Sequence, residues 1–365
     1  MAMKVEFNVL DRHYHQFETE YQEAANRVLS SGYYILGQEV ERFERQFALF
    51  CGVDFCVGLN SGLDALILAF RALGIGAGDE VIVPANTYIA SVIGVIEAGA
   101  TPVLVEPDDY YNIDPARLEG VITSRTKALL PVHLYGQACN MRKIIEVAQR
   151  YQLYIVEDAA QSHGAYFEEK MTGNFGTIGC FSFYPTKNLG AFGDAGAIVT
   201  NNEQLAERIR MMRSYGSKIK YHHEIEGVNS RLDEIQAALL TVKLKHLNSL
   251  NKERKHLAGL YLQGINNTKV RLPQNLSGAE HVYHLFVVMC EDRDALQKHL
   301  LKHGVKTQVH YPIPPHLADC YERLGYKAGD FPITERYANQ TLSLPLYHGM
   351  MLAEIQHVID CVNAF

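Results

Sequence analysis

No stretch of this sequence approaches the ~18 consecutive apolar residues of a membrane-spanning helix. The first ten residues, Met1 to Leu10, also lack a basic segment followed by an apolar one. Both absences point to a cytoplasmic chain that does not engage membranes. There is no Lys/Arg-rich arm, and the formal net charge is −7, which argues against nucleic acid as the main partner. An anionic ligand has to be met by a few local groups. The cysteines, Cys51, Cys56, Cys139, Cys180, Cys290, Cys320 and Cys361, are odd in number and include no C-x-x-C pair. They read as reduced thiols rather than a disulfide framework or a zinc site. The histidine pairs His13/His15, His222/His223 and His281/His284 have no Cys or carboxylate partner at ligand spacing, so no metal is expected. Internal repeats and low-complexity segments are missing as well, which removes solenoids and disordered tails.

What is present is a globular composition, 47% hydrophobic and 21% charged over 365 residues, enough for one large domain and a smaller one. Val40, Phe43, Phe47 and Phe50 recur at helical spacing before Gly52, which predicts a helix with a glycine cap. Short apolar runs then alternate with helical patterns: Phe55 to Leu59, Leu63 to Leu73, Val81 to Val83, Ser91 to Ala98, Pro102 to Val105, Ala128 to Val132, Met141 to Tyr151 and Tyr154 to Val156. This alternation predicts βαβ units around a mostly parallel sheet. Ile178 to Phe183 and Ala195 to Val199 read as further strands of that sheet. A helix from Glu203 to Met212, a polar stretch around Gly216 to Gly227, and an amphipathic helix from about Leu232 to Leu247 close a large domain of residues 1–247. With the boundary near Asn248 to Lys255, residues 248–365 form a smaller α/β unit. It holds a strand over Tyr283 to Cys290, a helix over Arg293 to His303 capped by Gly304, a strand over Val305 to Val309 and a final helix over Leu352 to Asn363.

The glycine-rich stretches Gly74 to Gly78 and Gly190 to Gly196 lack the strand-before, helix-after context or the spacing of a dinucleotide fingerprint, and read as turns. Asn60-Ser61-Gly62-Leu63 is different, because a strand passes there directly into a helix. Free N–H groups and the helix dipole at such a terminus suit a phosphate, although Ser and Asn are also ordinary N-caps. Asp158 lies just past an apolar strand, where open α/β sheets place ligand-contacting residues. Lys187 is flanked by Pro185, Leu189, Ala191 and Phe192, a setting that desolvates an amine, lowers its pKa and prepares it to form an imine. With pyridoxal phosphate (PLP), Asp158 would pair with the protonated pyridine nitrogen. The alternative is a surface lysine after a turn and an N-cap aspartate.

Four motifs occur in one order: Asn60-Ser61-Gly62, then Glu157-Asp158-Ala159-Ala160-Gln161-Ser162, then Ser182-Phe183-Tyr184-Pro185-Thr186-Lys187-Asn188-Leu189-Gly190, then Gly227 to Ala238 with Asn229-Ser230-Arg231. In this the sequence resembles the DegT/StrS family of PLP-dependent sugar aminotransferases, from the Gly37 region to Leu342-Ser343-Leu344-Pro345. The resemblance implies an α/β aspartate-aminotransferase-type fold (fold type I), with a mainly parallel seven-stranded sheet in the large domain plus the smaller C-terminal α/β domain. It implies Lys187 as the Schiff-base lysine, Asp158 as the pyridinium partner, Gln161 at the ring hydroxyl and Tyr88 against the ring face. Ser61, Gly62, Leu63 and Ser182 would hold the phosphate, with Asn229 reaching across from a second subunit of a homodimer with shared active sites. Leu63 stands where the family often has Thr, which removes a hydroxyl but leaves the backbone N–H. Tyr184, Lys220, His310 and Tyr311 are the substrate-binding candidates. The implied reaction carries an amino group from L-glutamate to a nucleotide-linked keto sugar, on the finer resemblance a dTDP-3-keto-6-deoxyhexose aminated at carbon 3. Amination at carbon 4 and a PLP-dependent lyase or dehydratase are the alternatives, and retention of Lys187 favours transamination over the latter.

Overall fold

The computed structural model describes residues 3–365. Its large sheet has seven strands: β1 (Phe55–Leu59), β2 (Glu80–Pro84), β3 (Thr101–Val105), β4 (Thr126–Leu129), β5 (Tyr154–Asp158), β6 (Ile178–Ser182) and β7 (Gly196–Thr200). They lie in the order β1-β7-β6-β5-β4-β2-β3, and only β7 runs against its neighbours. The mainly parallel sheet expected from the sequence is therefore present.

Alternation along the strands explains how the sheet is covered on both faces. Val81 and Val83 pack into a core that contains Ala65, Leu66 and Ala69 of the helix Gly62–Ala72, whereas Ile82 between them packs with Met141, Ile144 and Val147 of the helix Met141–Tyr151. In β6, Ile178 and Cys180 face the first core, and Phe181 faces Phe43 and Phe47 of the helix Gln38–Cys51. That helix ends at Gly52 in the left-handed conformation, φ 70°, as the sequence predicts.

A second core surrounds the antiparallel pair β8 (Phe286–Met289) and β9 (Thr341–Leu344), with the helices Arg293–Lys302 and Leu352–Asn363 packed on it. Val5, from the start of the chain, is buried in it. Two expectations need correcting. Val305 to Val309 is not a strand; it makes only single bridges, Val5 to Val305 and Gln308 to Ser343. The helix expected to stop at Leu247 runs from Glu234 to Gly264. Its polar stretch Asn251 to His256 resembles a linker in sequence but contains no helix breaker, and two of its residues are buried with partners. Asn251 Nδ2 donates to the His163 carbonyl at 2.7 Å, and the Arg254 guanidinium donates to the carbonyls of Tyr283, His284 and Leu346 at 3.0, 2.7 and 2.9 Å. Leu240 and Leu247 pack with Phe43, Phe47 and Phe181, while Leu257 and Tyr261 pack in the core around β8 and β9. The division proposed from the sequence, 1–247 and 248–365, thus crosses a continuous helix rather than a linker.

No helix among the described residues is long and apolar enough to cross a membrane.

Candidate active site

Register builds the centre of the site. Leu59 of β1 and Ser182 of β6 both pair with Gly196, the first residue of β7, so the chain leaving β1 emerges beside the end of β6. There it turns into the helix Gly62–Ala72. Ser61 caps it, accepting from the Asp64 N–H at 3.1 Å. The N–H groups of Gly62 and Leu63 have no partner among the described residues. A Cβ on Gly62 would lie 2.5 Å from Ser182 Cβ, so only glycine lets the helix terminus close onto the Ser182 hydroxyl. The result is a cradle of two free N–H groups and a hydroxyl at the positive end of a helix, a pattern suited to a phosphate.

One strand further along the sheet, β5 ends at Asp158, which is buried. Oδ2 accepts from Ser91 Oγ at 2.8 Å and Oδ1 from the Ala160 N–H at 3.2 Å. Burial raises its pKa; the Ser91 and Ala160 hydrogen bonds and the charge of Lys187 act against that rise. With no cation bonded to it among the described residues, this buried carboxylate is suited to a protonated ring nitrogen.

Lys187 sits in a turn closed by its own N–H donating to the Tyr184 carbonyl at 2.8 Å and by the Ala191 N–H donating to Phe183 at 2.7 Å. A Cβ on Gly190 would meet the Pro185 carbonyl at 2.2 Å, so the turn depends on that glycine. The lysine is half-buried. Burial pushes its amine down to about 8, with Asp158 pulling the other way. The neutral form, which a nucleophile or general base requires, is thereby reached at far lower pH than for an ordinary lysine.

These groups line one cavity of about 470 Å³ together with Tyr88, Gln161, Tyr184, His310 and Tyr311. Gln161 is held by the Tyr135 N–H donating to Oε1 at 2.7 Å and donates from Nε2 to the Tyr311 hydroxyl at 3.0 Å. The rings of Tyr88 and Tyr311 lie 5.0 Å apart at 37°. A larger open groove of about 660 Å³ beside Arg271 and Arg336 contains none of the predicted residues.

Asn229 and Lys220 are not part of the cavity within one chain. Asn229 bridges Ser214, and Lys220 sits over the Tyr221 ring at the tip of the small hairpin Ser217–Ile219 and His222–His223, where both are exposed. The sequence reading in turn missed Thr87, Ser91, Thr186, Asp194 and His284, all of which line the cavity. Thr87 and Ser91 are 2.8 Å apart. A polar i, i+4 pair leading into the otherwise apolar helix Ile89–Glu97 was the signal for them. Among the described residues no cluster of three or more His, Cys, Asp or Glu is arranged to hold a metal.

A doubly covered seven-stranded sheet with a lysine, a buried aspartate and an anion cradle at its carboxyl edge is the arrangement of a fold type I PLP-dependent enzyme. Residues 15–363 match the DegT/DnrJ/EryC1/StrS aminotransferase family. The chain is 50% identical, over 96% of both chains, to dTDP-3-amino-3,6-dideoxy-α-D-galactopyranose transaminase of Aneurinibacillus thermoaerophilus. It superposes on the crystal structure of Streptomyces venezuelae DesV with a TM-score of 0.97, at 49% identity over 99% of this chain and 98% of that one. NtdA of Bacillus subtilis, solved with bound cofactor PMP, gives 0.91 at 33% identity over 98% and 84%. The chain belongs to the DegT/DnrJ/EryC1/StrS aminotransferase family.

Proposed function

We propose that this enzyme uses PLP to move an amino group from L-glutamate to carbon 3 of a dTDP-linked 3-keto-6-deoxyhexose. The observation that carries the reading is the meeting of Lys187, buried Asp158 and the Gly62/Ser182 cradle in one cavity. The residues fit the cofactor. Ser61, Gly62, Leu63 and Ser182 would hold its phosphate, Asp158 its ring nitrogen, Gln161 its ring hydroxyl and Tyr88 its ring face. When bound, PLP supplies an electron sink that acidifies the proton on the carbon carrying nitrogen.

The chain's own groups do the rest. Asp158, buried at the wall of the cavity, would hold a positive charge at the ring nitrogen. The neutral amine of Lys187 would take the proton from the donor's Cα and, as the ammonium, pass it to the cofactor carbon next to the nitrogen; in the second half-reaction it would take a proton from that carbon and deliver it to the sugar carbon. Tyr184, His310 and Tyr311 line the space where the pyranose would lie. PLP-dependent transamination of a keto sugar accounts for the retained Lys187, which a dehydratase of this kind would not need. Carbon 3 is supported by the A. thermoaerophilus relative, whose name places the amine there. Regiochemistry is a matter of positioning, since the ketone carbon has to come within roughly 3–3.5 Å of the attacking nitrogen. Matched 3-keto and 4-keto dTDP-sugars test it: NMR of the product should show the amine on carbon 3, and turnover of the 4-keto compound alone would overturn the assignment.

The reading includes a cytoplasmic homodimer with shared sites. Asn229 and Lys220, exposed on the segment 214–230, are available to a second copy, where Asn229 would reach the cofactor phosphate and Lys220 the sugar's diphosphate. Two-fold closure is the commonest arrangement for such assemblies. Mixing inactive Lys187→Ala with inactive Asn229→Asp subunits is expected to restore part of the activity, because one of the two sites in each heterodimer regains every residue. Absence of recovery after confirmed subunit exchange would count against sharing.

A further inference from the structure

His284 is the one histidine at this cavity whose proton can be located from its neighbours. Asn251 Nδ2 donates to the His163 carbonyl, so its Oδ1 is free to accept, and it does so from Asn188 Nδ2 at 2.9 Å. Asn188 Nδ2 also donates to the Val282 carbonyl at 3.1 Å. With both amide hydrogens used, Asn188 presents Oδ1 to His284 Nδ1 at 3.3 Å. A carbonyl oxygen cannot donate, so Nδ1 of His284 carries the hydrogen. Burial holds the ring well below its ordinary pKa and Lys187, of the charged groups, acts on it most strongly. The ring is therefore neutral, and Nε2 is a bare lone pair.

The backbone is fixed as firmly as the ring. Buried Arg254 donates to the carbonyls of both Tyr283 and His284, and His284 itself lines the Lys187 cavity. The other histidines near Lys187 differ. His163 has both ring nitrogens buried without partners and is packed against Phe181 and Phe183. His310 faces the Ser343 hydroxyl at 2.8 Å, which can donate or accept and so leaves its tautomer open. Asn188, the last link to His284, is the residue after Lys187.

We propose that His284 is a positioning residue for Lys187: the lysine amine, which makes no hydrogen bond among the described residues, turns within the shared cavity to donate one N–H to the His284 Nε2 when no imine holds it, aiming its own lone pair at the substrate proton. A free amine in this cavity has two N–H groups to satisfy and one lone pair to direct. The carboxylate oxygens of Asp158 are engaged by Ser91 and Ala160, and a fixed acceptor that can never donate supplies the orientation. The inference rests on Lys187 being the reactive amine.

The test compares His284→Leu, which removes the acceptor, with His284→Gln, whose side-chain oxygen can restore one near the Nε2 position. His284→Asn keeps a donor toward Asn188 but places its oxygen short of the Nε2 position, and stands in for the Leu variant should that one be insoluble. Two quantities are read. The first is the pH midpoint for borohydride-trapped attachment of PLP to Lys187 in the apoprotein. The second is the kinetic isotope effect and rate of the half-reaction with 2-deuterated glutamate. Loss of an acceptor that favours the protonated amine should lower the midpoint by about one unit in the Leu and Asn variants. Their proton-transfer step should slow about tenfold with a larger isotope effect, and the Gln variant should stay close to wild type on both. An unchanged midpoint and isotope effect in the Leu and Asn variants, with only the KM for the keto sugar raised, would overturn the proposal and assign the lone pair to the sugar. If the wild-type protein traps no cofactor on Lys187, the parent reading fails instead.

Discussion

Lys187→Ala is expected to abolish transamination, by at least about 10⁴-fold, since in the proposed mechanism this one residue is both the covalent attachment point and the proton-transfer base. The chain should still fold. Lys187 makes no side-chain hydrogen bond among the described residues and is only half-buried. Its amine lies at about 8 in the folded chain against an ordinary 10.5. Between those values the unfolded chain binds more protons, so this group makes the apoprotein more stable as pH rises from about 8 toward 10.5. Below pH 8 the buried ammonium is a net cost. The Ala variant's apoprotein should therefore melt no lower than wild type at pH 6.5 on this account, with any advantage gone near pH 10.5. In the wild-type protein the rate of PLP attachment should climb through the same pH 8 region as the amine loses its proton. Borohydride trapping followed by peptide mass analysis checks the site. Cofactor fixed on another lysine, or turnover surviving in the Ala variant, would remove Lys187 from its role.

The second large effect is expected from Asp158→Asn. A neutral amide keeps the size and one acceptor for Ser91 or Ala160 but cannot hold a positive ring nitrogen. The half-reaction with glutamate should slow by roughly 10²–10³-fold, the loss typical when one preorganised electrostatic contact is removed. Cofactor should remain bound, because the Gly62, Leu63 and Ser182 cradle is untouched. Single-turnover absorbance measurements separate these outcomes. A rate within a few fold of wild type would mean that the buried carboxylate has a structural role only, through Ser91 and the Ala160 N–H.

Several elements were legible because their signals are local. The helix Met141–Tyr151, the helix Glu203–Met212 and the strand Phe55–Leu59 match the sequence reading residue for residue, since apolar spacing and flanking caps lie within the segment itself. Asp158 and Lys187 were legible for a related reason, as each is announced by the strand or turn that carries it. The helices Leu10–Gln16, Glu18–Ser31 and Pro332–Gln340 were missed. Leu10–Gln16 is a single short amphiphilic segment rich in polar side chains, with only His13 buried. In Pro332–Gln340 three residues are buried, among them Thr334, whose N–H and hydroxyl donate to Glu106 across the fold.

What the sequence by itself determined is the parallel sheet, the residues at its carboxyl edge and the chemical types gathered there, because periodicity of two or 3.6 is written within each element. What only the tertiary structure decided is every relation that depends on two distant segments meeting. The Leu59 and Ser182 registers against Gly196 set Gly62 onto Ser182. The helix Ile89–Glu97 brings Ser91 to Asp158. The continuation of the long helix past Leu247 delivers Asn251 and Arg254 to Asn188 and His284. None of these pairings is written in the sequence, even where a single member carries a local signal, because a hydrogen bond between residues far apart in the chain constrains distance and direction in space and leaves no periodicity along it.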